Sequence, residues 1–292
     1  MIQTTRLQVL FLWNLIDATV RHPVHLTGTV MKNLTNCSAS ISQKITREDG
    51  RTIAYHSTPG KSPGVVFLTG FVSDMTGDKA LCLEEFCQNR GQAFLRFDYT
   101  GHGESSEEFL DSCIGDWASD AIFALDQLTE GLQILVGSSM GGWIMLLAAL
   151  ARPERIAGLL GIAAAPDFTE DLMWADFTPE QQAALDKDGR VAIGNNYDDG
   201  EDYIITQKLI EDGRKYLLLR EEIVLDCPVR LIHGLQDKDV PWTTSQKISE
   251  RLRSTDVETT FVKNGDHQLS EPQDLDRLRA TLKGLITTVE DP

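Results

Sequence analysis

LVGSSMGGW, residues 135–143, is the stretch on which the reading of this chain turns. Apolar residues run into a Gly-Ser-Ser-Met-Gly-Gly turn, and an apolar run, WIMLLAALA, follows at once. A continuous apolar segment ending at glycine predicts a buried strand, and the run beyond it predicts a helix. A serine on such a tight strand-to-helix turn needs small residues two places before and two places after it. Ser139 has Gly137 and Gly141 at those places, whereas Ser138 has Val136 and Met140. If one of the two serines is a nucleophile, it is Ser139.

The surroundings extend this pattern. Short apolar or alternating runs at 51–58, 64–71, 92–99, 132–139, 158–165, 229–234 and 259–265 predict strands. Segments of helical period lie between them, such as GDWASDAIFALDQLTEG and DLDRLRATLKGLI. Alternating strands and helices imply an α/β fold: a mostly parallel, doubly wound sheet with helices on both faces and ligands at the carboxyl ends of its strands. Residues 167–225 break the rhythm with a helical piece, an acidic loop at Asp198–Asp202 and an amphipathic run, and without a clear buried strand. That is the size of a lid inserted over a sheet.

A serine hydroxyl needs a base, normally an imidazole oriented by a carboxylate. Six histidines are available. His22 and His25 lie in the opening segment, His56 in an early strand, His102 in a glycine-rich turn and His233 at the end of a buried strand. In the chain order serine, acid, histidine, His267 in KNGDHQLS follows both partners. The acid is assigned to Asp237 in HGLQDKDVP, with Asp239 as its nearest competitor and Asp266, Asp98 and Glu104 read as structural. An oxyanion hole takes one N–H from Met140, directly after the nucleophile. It takes a second from Phe71, in the loop after GVVFLTG.

In combination, GSSMGG, HGLQDKDVP and the late GDH resemble the α/β-hydrolase superfamily over about residues 48–288. FDYTGHGESS, GSSMGGWIMLLAALARPER, CPVRLIHGLQDKDVPW and STDV look like its branch of mitochondrial palmitoyl-protein thioesterases and acyl-glucuronide esterases, with their bacterial relatives. The resemblance implies hydrolysis of acyl thioesters or carboxylic esters through an acyl-enzyme, with a small-molecule or lipidated acyl substrate and no metal or organic cofactor. It assigns the nucleophile to Ser139, the acid to Asp237 and the base to His267. The chain departs from the pattern at FLTGF, where threonine replaces the histidine of many hydrolases and the proline frequent in this branch. An acyltransferase or aminopeptidase of the same fold, or a non-catalytic binding protein, are the alternatives.

Composition bounds these readings. With 27 basic and 44 acidic residues the formal charge is −17, which argues against nucleic acid as a partner. No apolar run approaches the roughly 20 residues of a membrane-spanning helix. Five scattered cysteines form no metal-spaced pattern and suit a reducing compartment. Residues 1–47 carry a net charge of +4, leaving −21 for the remainder. The expected organisation is an N-terminal extension over 1–43, transit-like or a loosely packed helix, and a hydrolase domain over 44–288. The expected location is the cytoplasm, or the mitochondrial matrix in a eukaryote.

Overall fold

The computed structural model describes residues 42–194 and 202–290. The expectations for the N-terminal extension and for most of the acidic loop therefore fall outside the described residues. Eight strands form one sheet in the order β1-β2-β4-β3-β5-β6-β9-β10. They are β1 (Gln43–Thr46), β2 (Thr52–Thr58), β3 (Lys61–Leu68), β4 (Gln92–Phe97), β5 (Gln133–Ser138), β6 (Ile156–Ile162), β9 (Val229–Gly234) and β10 (Val257–Val262). From β4 to β10 every neighbouring pair is parallel, while β1 and β2 join antiparallel at one edge.

Parallel central strands must be apolar on both faces, and successive side chains point to opposite sides. In β3, Val66 and Leu68 enter one core while Val65 and Phe67 enter the other. In β5, Leu135 faces the first core, and Ile134 and Val136 face the second. The first core is closed by α2 (Ile114–Leu128) and α3 (Met140–Ala151), and the second by α1 (Asp78–Arg90) and α7 (Pro272–Glu290). The helix α3 is apolar nearly all round because it is buried nearly all round, from Met140 to Ala149. Its Trp143 is wholly buried and donates its indole N–H to the Tyr216 carbonyl at 3.0 Å. A buried tryptophan of this kind is worth about 3–5 kcal/mol against alanine.

The chain leaves the sheet after β6 and returns at β9. The intervening segment holds a π-helical turn (Thr169–Trp174), α4 (Pro179–Asp188), β7 (Arg190–Ile193), β8 (Tyr203–Thr206) and α5 (Gln207–Gly213). Thr178 caps α4 in a reciprocal capping box with Gln181, and Gly189 ends it in the left-handed conformation. The strands here, β7 and β8, are short and mostly half-buried or exposed, and they pair antiparallel as a separate two-stranded sheet. Each is only four residues long, too short for a periodic signal. The two ends of the segment are tied to each other by Asp167, whose wholly buried carboxylate accepts from the N–H groups of Leu218 (2.7 Å) and Leu219 (2.8 Å). Among the described residues no helix is long and apolar enough to cross a membrane.

Candidate active site

The residues singled out from the sequence lie on loops at the carboxyl ends of parallel strands of the sheet: Phe71 after β3, Ser139 after β5, Asp237 after β9 and His267 after β10. Ser139 adopts φ +55° and ψ −121°, a conformation L-residues rarely take. It is pinned there by three main-chain hydrogen bonds. Its N–H donates to Ile162 at 2.9 Å, and its carbonyl accepts from Gly142 at 2.8 Å and Ala165 at 3.0 Å. The flanking glycines are required by contact: a Cβ on Gly137 would strike the Gly141 carbonyl, and one on Gly141 would strike the Leu68 carbonyl.

The imidazole of His267 stands between the other two groups. Its Nε2 is 2.9 Å from Ser139 Oγ, and its Nδ1 is 2.7 Å from Asp237 Oδ2. The Asp237 carboxylate is fully buried, whereas the His267 ring retains 14% exposure. Burial by itself raises the pKa of Asp237. Hydrogen bonds from His233 and His267, the charge on His267 and the Val240 N–H outweigh it, holding the carboxyl well below the usual carboxylate range. The ionised Asp237 holds the Nδ1–H of His267 toward itself, which leaves Nε2 facing the serine hydroxyl, the donor of that contact.

Gly70 lies against the serine, close enough that a Cβ on it would be 3.5 Å from the Ser139 Cβ. This brings the loop carrying the Phe71 N–H beside the first turn of α3, where Met140 provides the other. The first N–H groups of a helix have no intrahelical acceptor, so the Met140 donor is available to a ligand. The Phe71 ring is held by edge-to-face contacts with Phe109 (5.1 Å), Phe168 (5.6 Å), Tyr203 (6.1 Å) and Trp117 (6.2 Å). Two of these partners, Phe168 and Tyr203, belong to the segment between β6 and β9. A side chain chosen from the sequence only for its backbone thus couples that segment to the loop beside Ser139.

A cavity of about 710 Å³ opens onto Ser139 and His267. The inserted segment gives it an apolar wall of Phe168, Leu172, Met173, Phe177, Ile193 and Tyr203. Its lining also carries the polar Ser73, Asp74, Lys79, Lys238, Asp239 and Gln268. Lys79 is pushed below its usual pKa by burial, against the opposing charge of Asp266. Its ammonium donates to the Gln268 carbonyl at 2.5 Å, next to His267.

The remaining acidic residues sort by their bonds. Asp239 donates its backbone N–H to Asp237 Oδ1 at 2.9 Å, and Asp266 accepts the Leu269 N–H at 2.9 Å in the turn after His267. Asp98 accepts from Met75 (2.7 Å) and Glu104 (2.8 Å), bracing two loops. Asp237, Asp239 and His267 bring ligand-type atoms within 4.8 Å of one another. As a metal site this set is poor, because Asp237 is occupied by N–H donors and His267 Nδ1 faces it as a donor. His233, expected only as the end of a buried strand, is fully buried with its Nε2 3.1 Å from Asp237 Oδ2. The only signal was the HG dipeptide four residues before the acid, and it reads equally well as a strand end.

This fold and this cluster of strand-end loops define an α/β hydrolase, and the chain belongs to the alpha/beta hydrolase family, whose model matches residues 65–278. Among curated proteins it is similar to the mitochondrial palmitoyl-protein thioesterase ABHD10 of Pongo abelii, 40% identical over 242 residues, 83% of this chain and 79% of that one. The human protein of the same name is 39% identical over the same shares. Among solved structures, alpha/beta hydrolase domain-containing protein 10 from mouse superposes with a TM-score of 0.80 at 38% identity, covering 85% of this chain and 99% of that one.

Proposed function

We propose that this protein is a serine hydrolase that cleaves acyl thioesters or carboxylic esters through an acyl-enzyme. The observation that carries the reading is the unbroken line of hydrogen bonds from Ser139 Oγ through His267 to Asp237, at 2.9 and 2.7 Å. His267 takes the proton from Ser139 as the hydroxyl oxygen attacks the acyl carbonyl, and Asp237 stabilises the imidazolium that forms. The N–H groups of Met140 and Phe71 receive the oxyanion. His267 returns its proton to the departing thiolate or alkoxide. A water deprotonated by the same imidazole then attacks the acyl carbon and releases the acid and Ser139.

The acyl chain occupies the apolar wall and the leaving group the polar part of the lining, with the segment between β6 and β9 acting as a lid. The names of the similar proteins support a palmitoyl-type thioester substrate and a mitochondrial location. The test pairs a fluorophosphonate probe with a panel of acyl thioesters and p-nitrophenyl esters of increasing chain length. Labelling of wild type but not of Ser139→Ala, with a rate preference for medium or long acyl chains, is the expected result. An unlabelled wild type, or a Ser139→Ala variant that turns over at the wild-type rate, overturns the assignment.

A further inference from the structure

Asp237 has more partners than the reaction scheme uses. Its Oδ1 accepts from the N–H groups of Asp239 (2.9 Å) and Val240 (2.8 Å). Its Oδ2 accepts from His267 Nδ1 at 2.7 Å and lies 3.1 Å from His233 Nε2. A carboxylate offers about four lone-pair positions; three N–H groups donate to them here, and a fourth, the Nε2–H of His233, is shared between Oδ2 and the Val240 carbonyl at 3.0 Å. The fourth comes from a histidine with no exposure at all, at the end of β9.

The protonation of that ring follows from its neighbours. Nε2 faces two groups that can only accept, the ionised Asp237 Oδ2 and the Val240 carbonyl at 3.0 Å, so the proton sits on Nε2. Nδ1 of the neutral ring is then an acceptor, and it meets the hydroxyl of Ser245 at 2.7 Å. Ser245 is itself fully buried in α6 (Thr243–Arg251), so water does not compete for either contact.

We propose that His233, its tautomer held by Ser245, is a positioning residue for His267 that acts through Asp237. It fixes the rotation of the carboxylate and draws part of its negative charge away from the oxygen that faces His267. The inference rests on the serine-hydrolase reading above. Removing the fourth donor leaves the charge of Asp237 more concentrated on Oδ2, which favours the imidazolium form of His267. The charged groups that line the cavity with His267 are Asp74, Asp78 and Lys79 from the β3–α1 loop and α1 and Lys238 and Asp239 from the loop of Asp237, with Asp266 beside it in the chain, and all of them remain in every variant.

The experiment compares wild type, His233→Leu, His233→Gln and Ser245→Ala as purified full-length proteins. Each is measured for kcat, KM and the pH profile of kcat/KM on a p-nitrophenyl acyl ester, and for the low-field proton resonance of the His267 Nδ1–H. His233→Leu is expected to lower kcat by about ten- to a hundredfold, the size of one hydrogen bond to a charged group, with KM changed less than about twofold. The acid limb of its pH profile moves to higher pH. His233→Gln, whose amide nitrogen reaches the position of Nε2, recovers most of both. Ser245→Ala shifts the acid limb in the same direction by a smaller amount, and it serves as the test should His233→Leu not fold.

An unchanged acid limb in His233→Leu and Ser245→Ala overturns the proposal. So does a His233→Gln variant as impaired as the leucine variant, because volume alone would then explain the loss. Fluorophosphonate labelling of Ser139 in wild type reads the underlying mechanism separately. Were that labelling absent, the low-field resonance would still report whether His233 acts on the Asp237–His267 pair.

Discussion

A Cβ on Gly137 would stand 2.6 Å from the carbonyl carbon of Gly141 and 2.7 Å from the Cα of Gly142. The strand that delivers Ser139 and the helix that leaves it are therefore in main-chain contact, with no room for a methyl group. Gly137→Ala is expected to destabilise the fold by about 3 kcal/mol, as overpacking of rigid backbone does, and to lower kcat/KM by at least about a hundredfold. Urea unfolding together with an esterase assay on the soluble fraction checks both.

Ser139 itself is held at φ +55°, a conformation that costs a non-glycine residue of order 1–3 kcal/mol. Ser139→Gly removes that strain together with the hydroxyl. It is expected to lower kcat by about ten-thousandfold or more while raising stability by about 1 kcal/mol. Ser138→Ala, one residue away, keeps near-wild-type turnover. Thermal unfolding and turnover of the two variants side by side separate the serines.

Asp237 is held low, and the sign of its contribution follows. A carboxyl whose folded pKa lies below its unfolded value adds stability that is fully present above pH of about 4 and disappears as the pH falls toward the folded value. The Tm difference between wild type and Asp237→Asn is therefore expected to be constant from about pH 5 to pH 8 and to shrink below about pH 4. At neutral pH the variant should lose about ten-thousandfold in kcat, because the asparagine amide selects the wrong tautomer of His267. Calorimetry across pH, with kcat at pH 7.5, tests the two halves independently.

His102 behaves in the opposite chemical sense. It is 5% exposed among the rings of Tyr99, Phe109 and Trp117, and burial pushes its pKa down to about 4 although the Thr100 carbonyl accepts from its Nδ1. The unfolded chain binds this proton from about pH 6.5, so stability begins to fall there and the loss is complete near pH 4. The gap corresponds to about 3 kcal/mol. Denaturant unfolding at pH 7, 5.5 and 4 should register this decline, and His102→Gln should flatten it.

Phe71 joins the loop beside Ser139 to Phe168 and Tyr203 of the inserted segment. Phe71→Ala keeps the backbone donor but frees the loop that carries it. A fall in kcat of about ten- to a hundredfold is expected, with a smaller rise in KM, since the lost alignment matters most in the transition state. Steady-state kinetics on one acyl ester, compared with Phe71→Leu, distinguishes loop anchoring from bulk.

The sequence by itself determined the parallel sheet, since continuous apolar strands separated by amphipathic helices have no other good way to bury both faces. It also determined which serine occupies the turn, because the small-residue requirement at 137 and 141 is local and independent of the rest of the chain. The pairing of Asp237 with His267 was legible only through chain order and motif, and the 2.7 Å contact between loops thirty residues apart belongs to the tertiary structure. His233 shows the limit most sharply. In sequence it is the last polar residue of an apolar strand, and only the fold of the β9–α6 loop brings its Nε2 onto the carboxylate. The strands β7 and β8 were invisible because four-residue segments carry no period, and their pairing arises from partners that only the folded chain brings together. Local geometry could be read from neighbours in sequence, whereas hydrogen-bond partners and aromatic contacts required strands and loops distant in sequence to be neighbours in space.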